Sequence, residues 1–479
     1  MKKIMQFIKR NIIYLLISFI FITITSKMSP IYPLNDWCDT NSFFTMGKAL
    51  IRGKIIYKDL FEQKGPLLYL IYGVGYLISN KTFIGVYILE ILSYSLFLKI
   101  IKKILTTLEI KKFFYYAITL SFIITTSLAF YGGGSAEEFC LPYICWNIYI
   151  FTKIVKDKKI SNIEHFIDGL CFSTVFLIKF NVATFWIGTW IIYIIIYKKE
   201  SIKKIMYFTL GASILPLLVV LYFLKNSALY EFIDVYFLKN IFEYNHTKMS
   251  IISFFSGFLD GILNLFIYNI HKNFFLIIAL ILSFLYAKNN KIMKQYILLL
   301  IFPFIFLCCQ KVFFEYYILP FSILSIFGLI IIFEKIKIDK INKKYLLIIL
   351  VIMTFIFGKN TYMLKYKKED YAQYSFQQII NKYEDKSLLN YGFIDTGFYL
   401  ETNEVPNVRF FHTMNFSDFK EMKEGQLNYI KNKKTNFVIC AKVALDQECN
   451  AEIKKNYKLI TEKRHNKDYG FYYELYVRK

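Results

Sequence analysis

Leu67 to Ser79 reads LLYLIYGVGYLIS, and the way this run is laid against a bilayer decides the placement of everything after it. A helix needs about 20 largely apolar residues to cross the hydrocarbon core. This run has 13 residues and includes Gly73 and Gly75, so it is too short to span and weak as a helix former. Counting it as a crossing would invert every later segment and put the Lys-rich loops outside, against the tendency of lysine and arginine to stay in the cytoplasm. It is therefore expected to lie along the outer membrane surface as a juxtamembrane or re-entrant helix.

A bilayer is the right frame because 56% of the 479 residues are apolar, too many for two or three ordinary soluble domains. The opening MKKIMQFIKR and the apolar run behind it resemble a secretory signal. TSKMSPIYP offers no small-residue cleavage site, however, and the run reads as an uncleaved first span. The formal charge of +24 sits mostly between apolar runs, at Lys99–Lys112, Lys153–Lys159, Lys198–Lys204, Lys288–Lys294 and Lys335–Lys344. That pattern marks cytoplasmic loops and leaves no basic face for nucleic acid.

Spans are expected at about 11–28, 83–100, 113–130, 139–153, 166–178, 183–197, 206–224, 273–287, 296–309, 317–334 and 346–358. With the N-terminus inside, these eleven place each Lys-rich loop in the cytoplasm and the tail outside. The expected fold is thus a polytopic α-helical membrane domain, 1–358, whose first outer loop is 29–82, followed by a small extracytoplasmic α/β domain, 359–479. SLLNYGF, NVRFF, TNFVICA, YKLITE and GFYYELYV read as its strands, with helices near Tyr371–Tyr383 and Phe416–Lys431. The segment after Lys225 mixes aromatic and acidic residues at near-helical spacing, which suggests a second surface helix or a further pair of spans. Eight cysteines are scattered without metal-ligand spacing. Cys440 and Cys449 are near enough in sequence for a disulfide in an external domain, but unpaired thiols are expected.

The outer face carries the acids: Asp36, Asp39, Asp59 and Glu62 in DWCDTNSFFTMGKALIRGKIIYKDLFEQKGPLL, then Glu137, Glu138 and Glu315 in later loops. An enzyme working there has no ATP or nucleotide sugar, so its activated substrate must arrive on lipid, and a polyprenyl-phosphate sugar is such a donor. Transfer requires a carboxylate to take the acceptor's proton and cations to hold the leaving phosphate. Asp39, Arg52, Lys64 and Lys179 supply those groups.

The same loop resembles the first outer loop of GT-C glycosyltransferases, specifically the bacterial relatives of protein O-mannosyltransferase and lipid A aminoarabinose transferase. The matching residues are Asp39, Gly53, Tyr57 and Asp59, then Lys64-Gly65-Pro66-Leu67. GGGSAEEFCLP, FLIKFNVATF and VFFEYYILPF follow in order as weaker echoes, and the tail, with LLNYGFIDTGFYLE and VPNVRFF, is similar to those of low-GC bacterial members. The resemblance implies Asp39 as the base of an inverting transfer. Lys64 and Lys179 would steady the phosphate, and Glu137 or Glu138 would orient substrate or a cation. Glu315 stands where the family commonly has His, so no required metal is expected, with His246 the one well-placed outer histidine and a divalent cation the alternative.

Plainer roles compete. Asp36 can exchange roles with Asp39. Asp59 and Glu62 suit capping or pairing with Arg52 or Lys58, Glu137 and Glu138 suit capping of the span near Phe139, and Lys179 suits snorkelling. The function expected is sugar transfer from a polyprenyl-phosphate carrier to an extracytoplasmic glycan, lipid or protein, in a bacterial plasma membrane. A transporter or flippase of lipid-linked glycans is the alternative from another class, although no inverted repeat is visible. A glycan polymerase or ligase shares the outer-face logic.

Overall fold

Two helices of the first loop touch backbone to backbone. Cys38–Ile51 crosses Pro66–Ile78 at Gly47 and Gly73, where a Cβ on Gly47 would come within 2.5 Å of the Gly73 nitrogen and 2.8 Å of the Tyr69 carbonyl oxygen. A side chain at Gly47 is excluded by that approach. Phe43 and Tyr72 pack edge to face beside the crossing, as do Phe44 and Tyr76. In the computed structural model, which describes residues 2–198, 201–244, 251–288, 290–308, 313–415, 419–442 and 447–479, this helical pair belongs to one of two compact units.

The helical unit comprises Met1–Ser29, Tyr87–Val219 and Ser250–Thr361. Among the described residues, five helical stretches are long and apolar enough to cross a membrane: Ile84–Thr107, Phe180–Tyr197, Ser201–Lys225, Ile270–Lys288 and Glu315–Lys335. Asn11–Thr25 and Phe113–Thr126 are shorter apolar helices. Packing and polar contacts hold such helices together, because lipid gives them no hydrophobic drive to associate. Ser283 illustrates this: its hydroxyl lies 2.7 Å from the Leu324 carbonyl oxygen and accepts the Gly328 N–H at 3.1 Å, tying Ile270–Lys288 to Ser325–Lys335.

The loop unit joins Pro30–Val86, Val220–Met249 and Tyr362–Lys479. Its sheet has four strands, β1 (Leu388–Tyr391), β2 (Phe437–Ala441), β3 (Tyr457–Arg464) and β4 (Tyr472–Arg478), in the spatial order β1-β2-β4-β3. β1 and β2 run parallel, with Leu388 opposite Phe437; β4 is antiparallel to both β2 and β3. Both parallel strands are buried throughout, as the apolar run of β2 requires, and β1 buries Asn390 among its apolar residues.

NVRFF, expected as a fifth strand, is not one. Its backbone is divided between two neighbours: the Phe411 carbonyl accepts the Asn390 N–H of β1 at 3.0 Å, and the Arg409 carbonyl accepts the Phe61 N–H of the first loop at 2.9 Å. No continuous ladder forms from such split pairing. The expected tail helices appear as Ala372–Ile380 and Lys420–Lys431, and residues 416–418 of the second expectation lie outside the described residues. Cys440 is a buried free thiol.

Segments more than 300 residues apart thus share one core. Lys48 Nζ donates to the Tyr399 carbonyl at 2.8 Å, Phe61 packs on Phe410 and Phe419, and Tyr32 and Leu34 pack with Met363, Tyr366 and Tyr371. The segment after Lys225 is helical over Leu229–Ile233 and continues as a wider π-helical turn to Glu243. Asn240 from that turn donates to the Gln63 carbonyl at 2.8 Å. Three segments assigned to the outer face from sequence therefore lie in one folded body, so they share a side of any membrane.

Overpacking a close helix crossing costs about 1–3 kcal/mol. Gly47→Ala is expected to lower the stability of the purified protein in detergent by an amount of that size, read as a fall in its thermal midpoint, and an unchanged midpoint would show that the crossing yields freely.

Candidate active site

Asp39 stands in the first turn of Cys38–Ile51, half-buried, where the helix dipole favours a carboxylate. The turn is built by Asn35 and Asn41. Asn35 Oδ1 accepts the Trp37 N–H at 3.0 Å, and Asn41 Nδ2 donates to the Asn35 and Trp37 carbonyls at 2.8 and 2.9 Å. Asp36 points elsewhere. Its Oδ2 lies 3.2 Å from His465 Nε2 and accepts from the Tyr469 hydroxyl at 3.3 Å, both residues of the tail. The tail thus takes Asp36.

Further along the loop the motif residues shape the chain. Tyr57 is fully buried with φ of +69°, a left-handed conformation rare for an aromatic residue. Phe223 and Phe232, stacked on each other, lie to one side of its ring with centroids 5.6 and 5.8 Å away. Its hydroxyl donates to the Lys64 carbonyl at 2.6 Å, and Arg409 Nε donates to the Tyr57 carbonyl at 3.3 Å. Asp59 Oδ2 accepts the Ile55 N–H at 2.7 Å and closes the turn. Lys58 reaches the Asn226 and Ser227 carbonyls rather than an acid.

Glu62 is 2% exposed. One of its oxygens accepts the Lys64 N–H at 3.0 Å and the Tyr69 hydroxyl. Burial raises its carboxyl above the usual range; the Lys64 charge and the Tyr69 hydroxyl oppose the rise, and the Asp39 charge adds to it. Glu62 therefore feels the charges of both Lys64 and Asp39. Arg52 is not in that group. It follows the C-terminal end of the 14-residue helix that begins at Cys38, about 20 Å along the axis from Asp39 at 1.5 Å per residue, and its Nε donates to the Tyr76 hydroxyl at 2.7 Å.

The helical unit holds the remaining candidates. Ser135 caps Ala136–Val155 by accepting the Glu138 N–H at 2.9 Å, so the capping role expected of the glutamates falls to a serine. Glu138 Oε2 instead accepts the Gly134 N–H at 2.6 Å, and Glu90 Oε1 approaches the same N–H at 3.2 Å. Ser26 donates to the other Glu90 oxygen at 2.8 Å. The turn needs Gly133: its φ is +76°, and a Cβ there would lie 2.2 Å from Ser26 Oγ and 2.5 Å from Glu90 Oε1.

Glu137 is buried and ion-paired with Lys179, which leaves the helix Asn162–Ile178 in extended conformation. Lys179 Nζ also sits 4.2 Å from the ring centre of Tyr317 and 5.8 Å from that of Tyr316. This lysine does not snorkel to water; it is 9% exposed and held by a carboxylate and an aromatic face. Glu315 is half-buried at the start of the 3-10 stretch Glu315–Leu324 that carries both tyrosines. Glu315 is expected from the sequence, whereas Tyr316 and Tyr317, which face Lys179, carry no signal there. Glu90 is also missing from that expectation, although an acid in the middle of an apolar run is a signal. Among the described residues no three of His, Cys, Asp and Glu converge as metal ligands, and His246 lies outside them.

The fold is shared with a solved structure. The crystal structure of ArnT from Cupriavidus metallidurans bound to undecaprenyl phosphate matches with a TM-score of 0.60 over 98% of each chain, at 9% identity. No family profile matches the chain, and no curated protein does. The GT-C fold expected from the first-loop motif is therefore the fold adopted.

Two outcomes follow from the loop geometry. Tyr57→Phe removes the hydrogen bond to the Lys64 carbonyl and is expected to cost about 0.5–1.5 kcal/mol in urea or thermal unfolding. An equal midpoint would show that the hydroxyl does not brace the loop. His412, with Nδ1 3.4 Å from Ser42 Oγ and from the Asp395 N–H, is fully enclosed, and burial lowers it from 6.5 to about 3. Between those values the unfolded chain binds the extra proton, so stability falls as the pH drops through 6.5, by up to about 1.4 kcal/mol per pH unit. Melting curves between pH 4 and 7 should show that slope, and His412→Gln should flatten it.

Proposed function

We propose that the chain is a membrane glycosyltransferase that moves one sugar from a polyprenyl-phosphate carrier to an extracytoplasmic acceptor, a cell-envelope glycan, lipid or protein. The likeness to ArnT over 98% of both chains carries this reading, because that protein was crystallised with undecaprenyl phosphate. The enclosed Glu137–Lys179 pair under Tyr317 supports it, since a buried charge pair at the end of apolar helices is expensive to keep without a task.

Asp39 serves as the general base. Its carboxylate takes the proton of the acceptor hydroxyl while that oxygen attacks the anomeric carbon, and the bond from that carbon to the phosphate oxygen breaks. Polyprenyl phosphate leaves with the electron pair, and the anomeric centre inverts. Lys179 and Lys64 are assigned to the developing phosphate charge. Such cations contribute most where water is excluded. Glu137 fixes the direction of the Lys179 ammonium, and Glu138 and Glu315 are assigned to substrate orientation. No metal is required on this reading. The N-terminus is cytoplasmic and the loop unit external, in a bacterial plasma membrane.

Reconstituted protein supplied with polyprenyl-phosphate sugars tests the assignment. Asp39→Asn is expected to lower transfer by about 10²-fold or more while donor binding persists. Full transfer by that variant removes Asp39 as the base. Lipid crossing the liposome wall without any transfer by the wild type replaces the enzyme reading with a transporter.

A further inference from the structure

The apolar helix Pro66–Ile78 buries one side against Cys38–Ile51 and leaves the other open. Leu70, Val74, Leu77 and Ile78 are 45%, 39%, 65% and 50% exposed, an i, i+4, i+7, i+8 stripe along one face. At 13 residues the helix is about 20 Å long, short of a 30 Å hydrocarbon core. Such a stripe on a helix that cannot cross is suited to lie in the interface, with its apolar side in the acyl region.

Where the stripe ends, the surface opens into a cavity of about 670 Å³ lined by Ile51, Arg52 and the run Tyr76–Lys81. No carboxylate lines it. Arg52 is oriented there by Tyr76, which accepts from Nε and lies with its ring centre 5.7 Å from the guanidinium carbon. Among the described residues neither of its terminal nitrogens has a hydrogen bond and no acid pairs with it. Lys81 stands exposed at the same cavity beside Asn80 and Ser79. The guanidinium fork matches two oxygens of a phosphate, and a second cation matches the remaining charge.

We propose that this cavity is a headgroup site for an anionic phospholipid of the bilayer, bound by Arg52 and Lys81 with its acyl chains along the Leu70–Val74–Leu77–Ile78 stripe. The adjoining stripe selects a lipid over a free phosphate. The distance of about 20 Å along the helix from Asp39 separates it from the carrier phosphate. Arg52 thereby moves from the substrate to the membrane. The proposal stands whether or not sugar transfer is confirmed.

Native mass spectrometry of the full chain released from nanodiscs of equal phosphatidylglycerol and phosphatidylcholine tests it. The wild type should retain phosphatidylglycerol preferentially, and Lys81→Gln and Arg52→Gln should each lower the ratio about fivefold. Lys81 is exposed, so its substitution leaves the fold intact and is informative alone. An unchanged ratio in both variants overturns the site. So does displacement of the retained lipid by inorganic phosphate, which would make it a free-anion site, or by stoichiometric undecaprenyl phosphate, which would return it to the carrier.

Discussion

The contact of Gly47 with Gly73 is the constraint from which the first loop is built. Two backbones that meet without side chains between them fix both the distance and the crossing of Cys38–Ile51 and Pro66–Ile78. One end of the first helix then presents Asp39, the last turn at its other end buries Lys48, and Arg52 follows that turn. Lys48 is the telling residue of the three. Burial lowers its ammonium to about 7 against the opposing pull of Asp395, and its nitrogen donates to the Tyr399 carbonyl. An amine so enclosed is tolerated only because the tail offers it an acceptor.

The helical unit solves a similar problem in another way. In the first turn of Ala136–Val155 two acids meet an N–H group and a lysine. Gly134 gives its N–H to Glu138 and lies beside Glu90, and Lys179 closes on Glu137. Glu137, Glu138 and Lys179 are thereby matched within a few residues of a helix terminus, the place where an apolar bundle has backbone donors to spare. The aromatic faces of Tyr316 and Tyr317 add a further wall around the Lys179 ammonium.

Much of this was legible from the residues. The short run from Leu67 betrayed itself by length and glycine content, and the structure shows a helix over Pro66–Ile78 with an exposed apolar stripe. The first-loop pattern of Gly, Tyr, Asp and Lys-Gly-Pro pointed to the fold that the ArnT structure shares. Residue roles were harder to read, because hydrogen bonds across long separations leave no local mark. Nothing near Asp36 announces His465, and nothing in NVRFF announces that Arg409 spends its carbonyl on Phe61. Tyr57 is the intermediate case: the motif singled it out, but the left-handed backbone behind that choice emerges only from packing against Phe223 and Phe232.

The pairing of Lys48 with Tyr399 and of Phe61 with Arg409 also sets an order of events during synthesis. The first loop leaves the ribosome more than 300 residues before its supports do. Contacts of such long sequence separation form late, after the intervening chain has been threaded and placed. For most of its biogenesis the acidic loop therefore waits without its scaffold. Synthesis of the tail is the step that lets the first loop settle, and a ribosome that stops before it leaves behind the upstream crossings with no scaffold for that loop.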